Sequence, residues 1–236
     1  DAATFDEDAG EWEVETDRGV TLRAQYFIMG VGCLSAPVRP TFVAEDDFKG
    51  ETYQTSLWPK DEPDFTGKRV GIIGTGATAV QVVPEIAKTV GELYVFQRTP
   101  SSIDVRDQRA TTEEEYATWP KEENWAVQRR ERLALISAGR TALQGNDDFL
   151  SGKVQDFKQR KQHNTELSPE ELIQRQLNSN FRIMEQIRAR VDAIVKDPKT
   201  AAALKPYYPY GCKRPTFHDE YLPSFNLPNV HLVDTA

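Results

Sequence analysis

The stretch from residue 68 to residue 79 constrains the fold more than any other part of this sequence. It reads KRVGIIGTGATA, in which small and β-branched residues lead into a G-x-G-x-x-A turn. Apolar residues recur at helical spacing over 80–90, and a second apolar run follows at 93–96. A strand, a glycine turn, a helix and a second strand in this order are typical of a doubly wound, Rossmann-like dinucleotide-binding unit. The sequence therefore predicts an α/β fold.

The residues of the turn have separate physical roles. Gly74 permits the tight turn, Gly76 lets the backbone approach a pyrophosphate, and Ala79 lets the helix pack close to the sheet. The start of the helix adds free N–H groups and the positive end of a dipole. We predict that the cofactor contacts of this turn and of the first helical turns come from Gly74, Thr75, Gly76, Ala77, Thr78, Ala79 and Gln81.

The end of the second strand indicates which dinucleotide is bound. Units that bind NAD usually place an acidic residue there for the ribose hydroxyl, whereas an arginine accommodates the 2′-phosphate of NADP. Here the strand ends in Gln97, Arg98 and Thr99, without an acid. Arg98 offers a planar fork that suits a phosphate, and Thr99 adds a further donor. These residues favour NADP.

Composition excludes several other classes of function. The net charge is −8, from 29 basic and 37 acidic residues, which argues against a nucleic-acid surface. No apolar run has the length of a membrane span, and the N-terminus DAATFDEDAGEWE lacks the features of a signal peptide. Cys33 and Cys212 lie far apart and outside any metal or redox spacing. We expect a soluble cytoplasmic protein whose thiols are inert.

A long charged segment from about 111 to 205 shows helical periodicity and no strand-like alternation. Ser168 followed by Pro169 is a typical helix start, with the serine as the cap. We interpret the segment as a helical insertion with solvated outer faces. Later in the chain, the adjacent His218, Asp219 and Glu220 do not converge easily on one ion. We therefore expect a structural histidine and no metal site.

Both ends of the sequence resemble the interior of a domain. Near the start, Asp17-Arg18-Gly19 interrupts an alternating pattern and predicts a hairpin, and the apolar run 26–30 predicts a buried strand. At the far end, 229–234 predicts another short strand. We expect a segment of a longer protein.

Four motifs together resemble one enzyme family. They are FKGETYQTSLWP at 48–59, GIIGTGATAVQ at 71–81, FQRTP at 96–100 and YGCKRP at 210–215. The chain is similar on these motifs to the central part of Baeyer-Villiger monooxygenases, and the similarity extends from GVGCLSAP near its start to NVHLVD near its end. The runs RTPSSIDVRDQR and FHDEYLPSFNLPN look more like the branch that acts on larger cyclic or polycyclic ketones.

The resemblance implies a division of the chain into domains. It implies an NADP-binding domain at 67–208, with the helical insertion at about 111–205. Pieces of a discontinuous FAD-binding domain would flank it, at 1–47 and at 209–236. An interdomain linker would occupy 48–66. The first glycine fingerprint, which holds the FAD pyrophosphate in the family, does not occur in this sequence, so we expect the segment alone to be inactive.

The resemblance also implies a reaction. Such an enzyme uses FAD, NADPH and O2 to insert one oxygen atom next to a ketone carbonyl, which gives an ester or a lactone. Negative charge that develops beside the flavin needs a fixed positive charge, and arginine keeps its charge at any working pH. The family match makes Arg214 that catalytic residue and puts Lys213 on the NADP 2′-phosphate with Arg98. Two alternatives stay open: an N- or S-oxygenating flavin monooxygenase, which does not depend on this arginine, and a non-catalytic NADP-binding module.

One position of the linker motif departs from the family. The family pattern is Phe-x-Gly-x-x-x-His-x-x-x-Trp-Pro, and this sequence matches it at Phe48, Gly50, Trp58 and Pro59 but has Gln54 in place of the histidine. Glutamine keeps hydrogen-bonding capacity but cannot become a cation. A role that needs an imidazolium is therefore not expected here.

Overall fold

The computed structural model describes residues 2–32, 36–117, 123–137 and 168–235. The chain divides into two compact units, unit 1 from Asp1 to Glu62 and unit 2 from Pro63 to Ala236. The boundary between them falls inside the segment 48–66 that the sequence predicts as a linker. Cys33 and residues 138–167 of the predicted insertion lie outside the described residues.

Unit 1 contains an antiparallel sheet of three short strands in the order β1-β2-β3. The strands are β1 (Ala2–Asp6), β2 (Glu11–Glu15) and β3 (Thr21–Ala24). The Thr16 N–H donates to the Val20 carbonyl at 3.0 Å, and Gly19 adopts a φ of 70° in the turn between β2 and β3. The hairpin predicted at this turn is confirmed. Two short 3-10 helices follow, at Glu45–Asp47 and Thr55–Leu57.

The apolar run 26–30 is not the buried strand that its composition predicts. It has no strand assignment, and Tyr26, Ile28 and Met29 are 82%, 88% and 71% exposed. Phe27 packs on the sheet, with its ring centroid 5.5 Å from that of Trp12. A strand needs a hydrogen-bonded neighbour, and no described strand pairs with this run. The prediction was wrong because apolar composition specifies a strand only where a partner strand is present.

The sheet of unit 2 is parallel and has the order β4-β5-β8. Its strands are β4 (Arg69–Ile73), β5 (Glu92–Gln97) and β8 (Val230–Asp234). Helix α1 (Ala77–Ile86) connects β4 to its parallel neighbour β5, as a crossover between parallel strands requires. The strand predicted at 229–234 is confirmed as β8.

The remaining elements of unit 2 are short, apart from two helices of the predicted insertion. In chain order they are β6 (Ile103–Asp104), α2 (Glu113–Ala117), α3 (Trp125–Ser137), α4 (Pro169–Ile194), α5 (Pro198–Ala203), β7 (Thr216–Phe217) and α6 (Tyr221–Ser224). Strands β6 and β7 pair in parallel as a separate two-stranded sheet. No helix of the described residues is long and apolar enough to cross a membrane.

Helix α4 begins where the sequence predicts. The Ser168 hydroxyl accepts from the Glu171 N–H at 3.3 Å, and the Ser168 N–H donates to the Glu171 carboxylate at 2.8 Å. This reciprocal pair is a capping box, and Pro169 occupies the first helical position. Two donors that the helix start would leave unpaired are thereby satisfied.

One hydrophobic core lies between the parallel sheet and the helices of unit 2. It joins residues of α1, β5, β6, β8 and the helices α4 to α6. The buried members are Val80, Val83, Ala87, Val90, Leu93, Val95, Ile103, Val191, Val195, Ala201, Leu204, Tyr221, Leu222, Phe225 and Val230. The predicted α/β class is confirmed.

The segment that the resemblance assigns to the FAD-binding domain from residue 209 contributes a strand to the parallel sheet of unit 2. Its assignment to a domain stays a prediction. Residues 209–236 lie in the same compact unit as the glycine turn. Strand β8 pairs with β5 from Leu93 opposite Val230 to Gln97 opposite Asp234. Adjacent parallel strands share backbone hydrogen bonds, so the strand at 230–234 lies in the same sheet as the strand that precedes the glycine turn.

Candidate dinucleotide site

The glycine turn lies between the carboxyl end of β4 and the start of α1. Gly74 has a φ of 109°, a conformation that side chains rarely adopt. Its N–H donates to the Phe96 carbonyl at 2.9 Å, which ties the turn to the neighbouring strand β5. The prediction that glycine is needed at this position for the backbone turn is confirmed.

The start of α1 is open to an anion. Gly76 is the cap residue, and no described side chain caps the helix. A Cβ built on Gly74 or Gly76 would meet nothing within 4 Å, so the space in front of both residues is empty. The Val80 N–H is the first to bond back, to the Gly76 carbonyl at 3.0 Å. The N–H groups ahead of it are therefore available to a phosphate, as helix starts generally are.

Two hydroxyl groups fasten the loop after β5 to this turn. The Thr75 hydroxyl donates to the Thr99 carbonyl at 2.7 Å. The Ser101 hydroxyl donates in return to the Thr75 carbonyl. Arg98 immediately precedes Thr99 and is exposed, and it forms no hydrogen bond or ion pair with the described residues. The structure thus brings the cation predicted for the 2′-phosphate beside the turn predicted for the pyrophosphate.

Lys213 and Arg214 lie in the segment between α5 and β7. Both side chains are exposed. The Lys213 ammonium stands 5.1 Å from the centroid of the Tyr208 ring. The Tyr208 hydroxyl accepts from the Ser102 N–H at 3.2 Å, so Lys213 is linked through Tyr208 to the loop that carries Arg98. Arg214 has no described ion-pair partner, which leaves its charge available to a ligand.

An open cavity of about 560 Å³ runs along α1, and Gln81 contributes to its wall. The Gln81 amide donates to the Ala77 carbonyl at 2.9 Å within the helix. Ala77, Val80 and Glu85 of α1 line it as well. The rest of the lining comes from the loop after β6 and from β7 with the residues on either side of it, namely Arg106, Gln108, Pro215, Thr216, Phe217, His218, Asp219 and Glu220.

Asp219 holds the two loops of this cavity together. Its carboxylate accepts the N–H groups of Arg106 and Gln108, each at 3.0 Å. Burial acts to raise the pKa of Asp219, but the bonds from the N–H groups of Gln108, Arg106 and Asp107 outweigh it and lower the pKa below its usual value. The guanidinium of Arg190 stands 3.9 Å away and acts in the same direction.

Arg190 connects the same loops from the core side. It donates to the carbonyls of Ile103 and His218, at 3.3 Å and 3.2 Å. Burial lowers the pKa of Arg190, and the carboxylates of Asp104 and Asp219 act against this. Its bonds to two backbone carbonyls give it a structural role at the ends of β6 and β7.

The Nδ1 of His218 accepts from the Glu220 N–H at 3.1 Å, a contact within the loop after β7. Among the described residues, no group of three or more potential ligands could hold a metal ion.

Sequence reasoning missed three residues that order the site. Tyr208 contacts Lys213 and Ser102, as above. Asn180 of α4 clamps the backbone of Tyr210, accepting from its N–H at 2.9 Å and donating to its carbonyl at 2.8 Å. Gln97 is fully buried at the end of β5 and donates to the Ala203 carbonyl at 2.8 Å. Of these three residues, only Gln97 could have been recognised from the sequence, because it is a polar residue at the end of an apolar strand.

The linker motif belongs to unit 1. The Phe48 ring folds over Gly50, where a Cβ would lie 2.5 Å from the ring, and the rings of Tyr53 and Trp58 meet at 5.8 Å. The Gln54 amide nitrogen donates to the Val38 carbonyl at 3.1 Å. Its Oε1 is buried without a hydrogen-bond partner among the described residues. Gln54 therefore acts as a neutral donor within this unit.

The parallel sheet, the open glycine turn and the adjacent cation define an α/β dinucleotide-binding unit. No family model matches the chain. Individual proteins do: a Baeyer-Villiger monooxygenase of Stachybotrys chlorohalonatus is 42% identical over 247 residues, which covers 98% of this chain and 39% of that protein. The chain therefore spans about two fifths of the length of this relative.

Two solved structures are also similar to the chain over almost its whole length. The polycyclic ketone monooxygenase of the fungus Thermothelomyces thermophila superposes with a TM-score of 0.80 at 39% identity, over 99% of this chain and 41% of that one. A structure of OTEMO in complex with FAD and NADP superposes with a TM-score of 0.61 at 30% identity, over 99% of this chain and 45% of that one. The predicted resemblance is confirmed: the chain is homologous to a segment of Baeyer-Villiger monooxygenases.

Proposed function

We propose that the protein is an FAD- and NADPH-dependent monooxygenase that inserts one atom of O2 next to a ketone carbonyl, giving an ester or a lactone. The observation that carries the proposal is the open glycine turn with Arg98 fastened beside it, in a chain homologous to Baeyer-Villiger monooxygenases. A larger cyclic or polycyclic ketone is the proposed substrate class, because a polycyclic ketone monooxygenase is among the relatives. We propose a cytoplasmic location.

In this proposal the pyrophosphate of NADPH lies against the turn from Gly74 to Ala79. The uncapped N–H groups of α1 supply donors, and the empty space before Gly76 admits the phosphates. Arg98 and Thr99 take the 2′-phosphate from one side and Lys213 takes it from the other. Gln81, one turn further along α1, faces the cavity and contributes a polar wall there.

The described residues contain no second glycine-rich strand, turn and helix, so we assign no residue of this chain to the FAD pyrophosphate. FAD, when bound, supplies the redox chemistry with O2. The contribution of this chain is the Arg214 guanidinium, which is exposed and has no described ion-pair partner. A permanent cation placed where negative charge develops lowers the energy of the charged transition state.

The cofactor assignment is tested by titrating the chain with NADPH and with NADH. Arg98→Ala should weaken NADPH binding about 10- to 100-fold, because hydrogen bonds to charged groups contribute about 1.5–3 kcal/mol. NADH binding should not change, since NADH has no 2′-phosphate. Arg69→Ala is the control, because Arg69 is also exposed but begins β4 at the opposite, amino end of the sheet. Equal affinity of the wild type for both cofactors would refute the role of Arg98.

The reaction is tested with Arg214→Ala in the full-length, FAD-loaded protein. Ester or lactone formation should be abolished while NADPH oxidation stays measurable, because the cation acts on oxygen insertion and not on hydride transfer. Arg69→Ala again serves as the control and should keep both activities. Ester formation that survives in the Arg214→Ala variant would refute the assignment and favour an N- or S-oxygenating enzyme.

A further inference from the structure

The Tyr208 side chain contacts both segments that carry the proposed phosphate-binding cations. Its ring is half-buried and faces the Lys213 ammonium at 5.1 Å from the ring centroid. Its hydroxyl accepts from the Ser102 N–H at 3.2 Å. Ser102 is buried and lies four residues after Arg98, in the loop fastened to the glycine turn. The ring and the hydroxyl therefore act on different segments.

The backbone around Tyr208 is fixed by bonds that do not involve its side chain. Asn180 holds the N–H and the carbonyl of Tyr210 together. The Cys212 N–H donates to the Pro209 carbonyl at 3.1 Å, and Gly211 turns the chain with a φ of 93°. This arrangement returns the chain so that Lys213 passes over the ring of Tyr208. The contact thus follows from a defined turn of the backbone.

A lysine needs such a contact if its ammonium is to be held at one place. Its side chain has four rotatable carbon–carbon bonds and loses up to about 2 kcal/mol of rotamer entropy when it is fixed. Lys213 is exposed and has no described ion-pair partner. The aromatic face of Tyr208 attracts the ammonium and restricts its positions before any ligand arrives.

We propose that Tyr208 is a positioning residue that holds Lys213 beside the loop of Arg98, and that it thereby contributes to the preference for NADPH over NADH. The inference rests on the proposed function, because it assumes that Lys213 meets the 2′-phosphate. It adds a residue that touches neither the phosphate nor the reacting atoms and acts through Lys213 alone. Removing the Tyr208 ring should therefore lower the affinity for NADPH, which carries the 2′-phosphate, and leave the affinity for NADH unchanged.

The test measures the dissociation constants of NADPH and NADH for the full chain and its variants by calorimetric titration. Tyr208→Leu should weaken NADPH binding about two- to fivefold, the range of an exposed cation–π contact, and leave NADH binding unchanged. Tyr208→Phe keeps the ring and should retain most of the NADPH affinity. In a Lys213→Ala background, Tyr208→Leu should cause no further loss, because the two residues act as one unit.

Tyr26→Leu is the control, since Tyr26 is a tyrosine that is 82% exposed and lies in unit 1. It should leave both affinities unchanged. A purely structural role of Tyr208 would instead weaken NADPH and NADH alike, in both backgrounds, and this result would overturn the inference. A wild type that does not prefer NADPH would overturn the proposed function and the inference with it. A Tyr208→Leu variant whose ratio of NADH to NADPH dissociation constants equals that of the wild type would overturn the inference alone.

Discussion

Unit 1 and unit 2 differ in how their sheets are buried. None of the described residues of unit 1 is buried, and Leu22 of its antiparallel sheet is 56% exposed. In unit 2 the central strand β5 of the parallel sheet buries its core-facing side chains, with Leu93 and Val95 at 0% exposure. Antiparallel sheets commonly leave one face solvated, whereas parallel sheets occur almost only where their faces are covered. The linker motif and the dinucleotide fingerprint therefore lie in units whose side chains are buried to very different extents.

A matched pair of leucine truncations gives the largest expected difference between the units. Leu93→Ala should destabilise the protein by about 2–5 kcal/mol, because it leaves a cavity in a closed core. Leu22→Ala should cost about 0.5 kcal/mol or less, since an exposed side chain loses little burial. Denaturant unfolding followed by circular dichroism measures both. Similar losses of unfolding free energy for the two variants would contradict the claim that Leu22 contributes little burial to unit 1.

The turns at Gly74 in unit 2 and at Gly19 in unit 1 should also differ in the free-energy cost of a glycine-to-alanine substitution, by less than the two leucine sites differ. Gly74→Ala should cost about 1–3 kcal/mol, because alanine at a φ of 109° is strained. Gly19→Ala should cost about 1 kcal/mol, since a φ of 70° lies near the left-handed region that alanine reaches with less strain. Both free-energy costs are measured from the denaturant midpoints of unfolding. Equal costs would contradict the claim that the dinucleotide turn is the more demanding one.

Asp219 makes the stability of unit 2 depend on pH. Its pKa is lowered in the folded protein, so its contribution to stability is present above the ordinary pKa of aspartate and is lost as the pH falls through the lowered pKa. Asp219→Asn should be less stable than the wild type near neutral pH, and the difference should shrink in acid. Unfolding free energies measured across that window check this. A difference that does not change with pH would show that the carboxylate charge plays no part.

The smallest effect is expected in the linker motif of unit 1. Gln54→His should change the unfolding free energy by about 0.5 kcal/mol or less, because a ring N–H can replace the amide donor to Val38. In the full-length protein, the same variant tests whether the family histidine improves the coupling of NADPH oxidation to product. Unchanged coupling would show that this departure from the family is neutral.

The local elements were predictable because their signals are short-range. The glycine turn, the helix after it, the capping box at Ser168 and the strand 229–234 each depend on residues within a few positions of one another. The failure at residues 26–30 has the opposite cause. Whether an apolar run becomes a strand depends on a neighbour elsewhere in the chain, and local composition contains no information about that neighbour.

The sequence by itself determined the dinucleotide fold, the family and the identity of Arg98, Lys213 and Arg214 as candidate cations. Only the tertiary structure decided that β8 completes the sheet of unit 2, and that Tyr208 connects Lys213 to the loop of Arg98. The physical reason is distance along the chain. Spacing rules follow the backbone over a few residues, whereas strand order and side-chain contacts over more than a hundred residues are set when the core closes.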